Sequence, residues 1–169
     1  MEAVAEKSQR DLVGQHEQQY LTFIMSGEEY GVDILAVQEI RGWEESTTIP
    51  NAPPYIRGVI NLRGTIVPIM DLRARFGLPE VDYSPVTVVI ILKFEGANGD
   101  RVMGIVVDAV SDVYTIADSD TRKPPELTED QNSDFIKGLV NVNDKMVILL
   151  DVDILLNIKA KKSIQDVVE

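Results

Sequence analysis

Two stretches of this 169-residue chain align with each other without a gap. Tyr55-Ile-Arg-Gly-Val-Ile-Asn-Leu-Arg-Gly-Thr-Ile-Val-Pro-Ile-Met-Asp-Leu72 matches Phe135-Ile-Lys-Gly-Leu-Val-Asn-Val-Asn-Asp-Lys-Met-Val-Ile-Leu-Leu-Asp-Val152, with Gly58 and Gly138 80 positions apart. Further upstream, Tyr30-Gly-Val-Asp-Ile-Leu-Ala-Val-Gln-Glu-Ile40 matches Met103-Gly-Ile-Val-Val-Asp-Ala-Val-Ser-Asp-Val113 at an offset of 73. Chance similarity between apolar strands does not account for the shared Gly, Asn and Asp positions. The chain therefore carries two copies of one β unit. Each copy reads as about five short strands, and so many turns favour two small packed barrels over a flat open sheet.

Local patterns fill in the copies. Tyr20–Met25 and Tyr30–Ile34 read as strands around a Ser26-Gly27-Glu28-Glu29 turn. Asp33 to Ile40 has apolar residues at helical spacing, which suggests one or two turns capped by Asp33. A proline-bearing loop follows from Thr47 to Pro54. Ile56–Ile60 and Thr65–Met70 are strands flanking Asn61-Leu62-Arg63-Gly64, with Pro68 expected at an edge or bulge because it lacks a ladder donor. Asp71 is suited to cap a short helix, Leu72–Phe76, ended by Gly77. Val86–Phe94 and Arg101–Val107 form a further hairpin around residues 96–100. A polar loop spans Ala117 to Asp134. Gly138–Val142 and Lys145–Leu150 are strands, and Asp151 caps a last helix to about Lys159. Residues 1–18 and 160–169 read as a mobile tail and a frayed end.

The chemistry of the chain argues for binding rather than catalysis. It has no cysteine, which removes thiol catalysis, disulfides and thiolate metal sites. Its only histidine, His16, lies in a polar stretch before the first apolar run and reads as a solvated tail residue. No serine sits in a nucleophile-elbow motif, and neither glycine-rich phosphate motif is present. Asp118-Ser-Asp120 with Glu129 has partial calcium-loop spacing, but Arg122, Lys123 and Pro124 occupy positions that rule it out. Asp151 and Asp153 at a helix start read as capping residues. With 16 basic against 28 acidic residues the net charge is −12, unfavourable for a nucleic-acid or anionic membrane partner. No apolar run is long enough to span a bilayer, so a cytoplasmic protein is expected.

Three features are candidate contact sites. Arg63 lies in a turn whose counterpart in the second copy reads Asn141-Val-Asn-Asp144. It can recruit a partner's carboxylate or pair with Glu39; the latter, structural role is favoured because turn arginines flanked by apolar strands fold back onto their own surface. Arg41, Arg57, Arg63, Arg73 and Arg75 form a basic cluster, which keeps an OB-type nucleic-acid-binding protein as the alternative function. Charge and an aromatic content of 6% weigh against it. Leu21, Val32, Leu35, Val37, Val107 and Val110 either fill the contact between barrels or line a groove that takes a partner's helix.

The stretches EEYGVDILAVQEIRG, IRGVINLRGTIVPIMDLR, VMGIVVDAVSDV and GLVNVNDKMVILLDVDILL closely resemble the CheW-type chemotaxis coupling proteins. The likeness covers about residues 20–158. It implies two intertwined five-stranded SH3-like barrels within residues 19–159, with lobes expected over 36–85 and over 20–35 plus 86–159. It also implies a non-catalytic, cofactor-free adaptor that joins methyl-accepting chemoreceptors to the chemotaxis histidine kinase in membrane-associated arrays. By that resemblance the receptor's cytoplasmic hairpin tip docks at Leu21, Val32, Leu35, Val37, Val107 and Val110. The kinase's regulatory domain docks near Gly58, Arg63, Thr65 and Ile66, and the family's glutamate and arginine correspond to Glu39 and Arg63. The acidic stretch from Leu127 to Asp134 has no assigned role.

Overall fold

The computed structural model describes residues 17–96, 99–124 and 134–157. These contain β1 (Glu17–Met25), β2 (Glu28–Asp33), β3 (Val37–Gly42), β4 (Ile56–Leu62), β5 (Thr65–Asp71), β6 (Val88–Gly96), β7 (Gly99–Val107), β8 (Ala109–Ala117), β9 (Ile136–Val142) and β10 (Lys145–Leu150). Helix α1 (Leu72–Arg75) follows β5 and α2 (Val152–Asn157) follows β10. His16, Glu129, residues 1–16 of the expected tail and the expected frayed end lie outside the described residues.

Three hairpins turn on two residues with positive φ: Ser26 and Gly27 at 52° and 82°, Arg63 and Gly64 at 51° and 89°, Asn143 and Asp144 at 51° and 65°. Paired left-handed residues are the mark of turns whose twist matches that of the strands they join. The strands form two five-stranded sheets, ordered β8-β1-β2-β10-β9 and β3-β6-β7-β5-β4. Both follow one plan: an antiparallel hairpin, then a parallel neighbour. In the first sheet β2 pairs in parallel with β10, Leu149 opposite Gly31. In the second, β7 pairs in parallel with β5, Ile69 opposite Gly104. The two glycines match in the repeat, and so do Leu149 and Ile69. A Cβ on Gly31 would stand 3.1 Å from Leu149 Cδ2, and one on Gly104 would stand 2.8 Å from Ile69 Cδ1. Each glycine makes room for the apolar side chain across the parallel seam.

Each sheet closes on itself through the residues that follow its edge strand. Thr47, beyond β3, bridges Val59 on β4, and Arg122, beyond β8, bridges Leu139 on β9. Three apolar clusters result. Leu62, Val67, Ile69, Val89, Ile91 and Val106 fill one barrel. Tyr20, Ile116, Val140, Val147 and Leu149 fill the other. The largest lies between them, built from Phe23, Val32, Met70, Leu72, Ile90, Leu92, Leu150 and Leu155 among others. Strand β6 faces a core on both sides, which explains its unbroken apolar run. Each fully buried side chain of this size contributes about 1.5–3 kcal/mol, so the shared cluster ties the lobes into one body.

The cap positions repeat as well. Asp71 Oδ1 accepts from Arg73 N at 2.9 Å, and Asp151 Oδ1 accepts from Ile154 N at 3.0 Å. Asp71 N donates to Tyr55 O at 2.7 Å, and Asp151 N donates to Phe135 O at 2.8 Å. Pro68 lies opposite Val59, just before the stretch of β5 that pairs with β7, so its missing donor leaves no gap in the ladder.

Four features differ from the sequence-based expectation. The lobes are not 36–85 and 20–35 plus 86–159, because β6 (Val88–Gly96) and β7 (Gly99–Val107) belong to the sheet of β3, β4 and β5. The parallel β5–β7 seam decides this, and no local pattern reports it. The expected helix at Asp33–Ile40 is a single 3₁₀ turn, Ile34–Ala36, with Asp33 accepting from Leu35 N at 2.9 Å. Residues from Val37 onward satisfy their backbone against β6 and form β3. Strand β8 replaces an unassigned stretch, and β1 begins at Glu17, inside the expected tail, because Glu17 and Gln18 pair with Ala117 and Ile116.

Candidate functional site

The turn after β4 projects Arg63 from the closing side of the second barrel. Its Nη2 donates to Glu39 Oε1 on β3 at 2.6 Å, with the guanidinium side chain 74% exposed. Since β3 and β4 are the two ends of that sheet's strand order, the pair spans the barrel's closure. Arg41 Nη1 reaches the other Glu39 oxygen at 3.5 Å, and Arg41 also pairs with Glu44. The hydrogen bond from Arg63 holds the Glu39 carboxyl below its ordinary range, against a smaller opposing effect of burial. Thr65 and Ile66 follow the turn on β5, with Ile66 60% exposed. Gly58 is different: it is buried at φ 147°, and a Cβ there would lie 2.7 Å from the Thr47 carbonyl carbon. Gly58 accommodates the closing Thr47 segment and presents nothing to a partner.

The apolar set divides between the two crossovers, with Leu35 and Val37 at the one from β2 to β3 and Val110 at the one from β7 to β8. Val37 opens β3 and Val110 lies on β8 opposite Phe23; the two match in the repeat, and both are partly buried against the shared core. Leu35 projects from the 3₁₀ turn and is 85% exposed. Leu21, Val32 and Val107 lie beneath, in the shared core, with Val32 wholly inaccessible. Only Leu35, Val37 and Val110 of the six offer surface to a partner; the other three support them.

Four of the five arginines of the basic cluster pair with carboxylates, and the fifth, Arg75, lies against aromatic rings. Arg57 bonds Asp71 Oδ2 at 3.2 and 3.1 Å and Glu80 at 3.1 Å. Tyr83 donates to the same Asp71 oxygen at 2.7 Å; burial, followed by that hydrogen bond, pushes its hydroxyl pKa up. Arg73 pairs with Asp108 at 2.7 Å. Arg75 stacks between Tyr55 and Phe135, 5.5 and 5.4 Å from their ring centres. Together with Arg41 and Arg63, every member of the cluster is engaged within the chain, and no row of cations is left for a phosphate backbone. The Arg57 and Arg73 pairings are not among the sequence-based expectations; their signal is the matching supply of Asp71, Glu80 and Asp108.

No group of three or more metal-ligating side chains occurs among the described residues. A cavity of about 400 Å³ beside β9 and β10 is lined by Ser119, Asp120, Arg122, Lys123, Leu139, Val140, Asn141 and Met146. No helix among the described residues is long and apolar enough to cross a membrane.

Two barrels over one shared core, with an ion-paired turn on one side and exposed apolar residues at the crossovers, have the make-up of a binding module. Residues 19–160 match the CheW-like domain model, and the chain belongs to that family. It is similar to the chemotaxis protein CheW of Klebsiella aerogenes, 47% identical over 140 residues, 83% of this chain and 82% of that one. The CheW of Rhizobium meliloti is 38% identical over 133 residues, covering 79% and 83% of the two chains. A crystal structure of the scaffolding protein TtCheW from Thermoanaerobacter tengcongensis superposes with a TM-score of 0.72 at 33% identity, covering 85% of this chain and 90% of that one. The chain is a chemotaxis adaptor of this family, with the two-barrel all-β fold.

Proposed function

We propose that this adaptor joins the cytoplasmic hairpin tip of methyl-accepting chemoreceptors to the regulatory domain of the chemotaxis histidine kinase, in the cytoplasm at membrane-associated arrays, without catalysis or cofactor. In this reading residues 19–159 act as one body with two faces. An apolar helix of the receptor lies on Leu35, Val37 and Val110, over a floor of Leu21, Val32 and Val107. The kinase domain docks on Thr65, Ile66 and the Arg63 turn. The observation that supports this most is the separation of exposed apolar side chains: Leu35 at a crossover between sheets and Ile66 on β5 stand on different elements. An adaptor transmits a signal when its partners bind with a coupling free energy of about 1–3 kcal/mol, and two faces on a stiff body suffice for that.

The test is a pair of single substitutions read against both partners. Val37→Asp places a charge in the apolar surface and should abolish binding to receptor-containing membranes while leaving kinase-domain affinity unchanged. Ile66→Asp should do the reverse. Unchanged receptor binding by a folded Val37→Asp protein contradicts the assignment of the receptor face.

A further inference from the structure

Asp108 is the one residue between β7 and β8, where the chain leaves the second sheet for the first. It is held from four directions. Arg73 Nε donates to Oδ1 at 2.9 Å and Arg73 Nη2 to Oδ2 at 2.7 Å. Ser26 N, in the β1–β2 turn, donates to Oδ2 at 2.9 Å. Its own N donates to Ile24 O at 3.1 Å. The side chains of Arg73 and Asp108 are only 14% and 27% exposed, and the guanidinium also donates to Pro79 O at 3.0 Å. A two-pronged, charge-assisted contact of this kind fixes orientation as well as distance.

The repeat breaks here. The position matching Arg73, 80 residues on, is Asp153, whose carboxylate accepts from Glu95 N at 3.1 Å. The position matching Asp108 is the exposed Leu35. One crossover thus presents an apolar tip, while the other is latched to α1 by a bond with no counterpart in its twin. Two residues beyond the latch stands Val110, which packs on the shared core beside Phe23.

We infer that Arg73 is a positioning residue for the receptor face: through Asp108 it sets the β7–β8 crossover, and so the place of Val110 relative to Leu35 and Val37. The inference rests on the reading of those three residues as the receptor face. Arg73 touches neither partner. Its guanidinium holds the second barrel's helix to the crossover that leads into the first sheet, so that the two sides of the docking surface keep one spacing.

The test measures affinity of the full chain for receptor-containing membranes and for the kinase regulatory domain, alongside melting temperature. Arg73→Gln should weaken receptor binding about tenfold, while kinase-domain affinity stays within about twofold. The charge-reversed double variant, Arg73→Asp with Asp108→Arg, should recover most of the loss, which a purely structural role in stability would not require. If Arg73→Gln does not fold, Asp108→Asn carries the same comparison. Val110→Asp serves as the control. Loss of receptor binding by Val110→Asp with none by Arg73→Gln overturns the latch and leaves the receptor face standing. Full binding by Val110→Asp overturns the receptor face and the latch with it. Equal losses toward both partners also overturn the latch, since the effect is then general.

Discussion

Arg63 Nη2 and Glu39 Oε1 stand 2.6 Å apart across the closure of the second barrel, joining the turn after β4 to β3. The bond ties together the two ends of one sheet, and Thr65 and Ile66 follow directly from the turn. Arg63→Ala should lower the melting temperature slightly, because the pair is exposed and screened by solvent. It should weaken kinase-domain binding more, because the turn loses its anchor. The φ of 51° is borne by arginine and alanine alike, so the backbone adds nothing to the difference. Unchanged kinase binding at full occupancy contradicts the placement of that face.

Gly58 separates structure from docking. The nearest atoms to its missing Cβ belong to the Thr47 backbone, which cannot swing aside, and its φ of 147° suits glycine alone. Gly58→Ala should cost about 3 kcal/mol, several degrees in melting temperature, read by thermal unfolding. A substitution at the open position Gly42, which has nothing within 4 Å, is the matched control and should cost far less.

Glu29 is a buried carboxylate, 6% exposed, whose Oε2 finds no hydrogen-bond partner among the described residues. At the matching position the second copy has Val102, packed against its barrel's core. Glu29→Val should therefore raise stability by about 1–2 kcal/mol. A lower melting temperature contradicts this and means that the carboxylate has a role the packing does not show.

The Asp108 carboxyl is held below its ordinary range, first by the hydrogen bond from Arg73, with burial opposing and Ser26 N and the Arg73 charge adding. A depressed folded-state pKa gives stability that is complete above the unfolded value of about 3.9 and lost as pH falls through the folded one. Wild type should exceed Asp108→Asn in melting temperature at neutral pH, with the gap closing below about pH 4. A gap that persists into that range contradicts the pairing.

The repeat made the hairpins, the capping aspartates and the two-barrel plan legible, because glycines and aspartates recur where turns and helix starts recur. Local periodicity misassigned β3: Ile34, Val37 and Ile40 fall at helical spacing, but pairing with β6 outweighs that preference. The exchange of strands between barrels depends on Gly31 meeting Leu149 and Gly104 meeting Ile69, contacts between distant residues that no window contains. The Glu39–Arg63 pair was legible because the arginine is present in one copy only. Burial of Leu21, Val32 and Val107 was not, since the same apolar residue serves as floor or as surface depending on what packs over it. The Arg73–Asp108 latch is visible in sequence only in hindsight, as two positions where the copies disagree.

The most direct measurement is co-sedimentation of the purified protein with receptor-containing membranes, with and without the histidine kinase. The expected result is that it pellets with receptors, carries the kinase with it and raises kinase activity, and that Val37→Asp stays in the supernatant. If the wild-type protein remains in the supernatant under both conditions, coupling of receptor to kinase by this chain is contradicted.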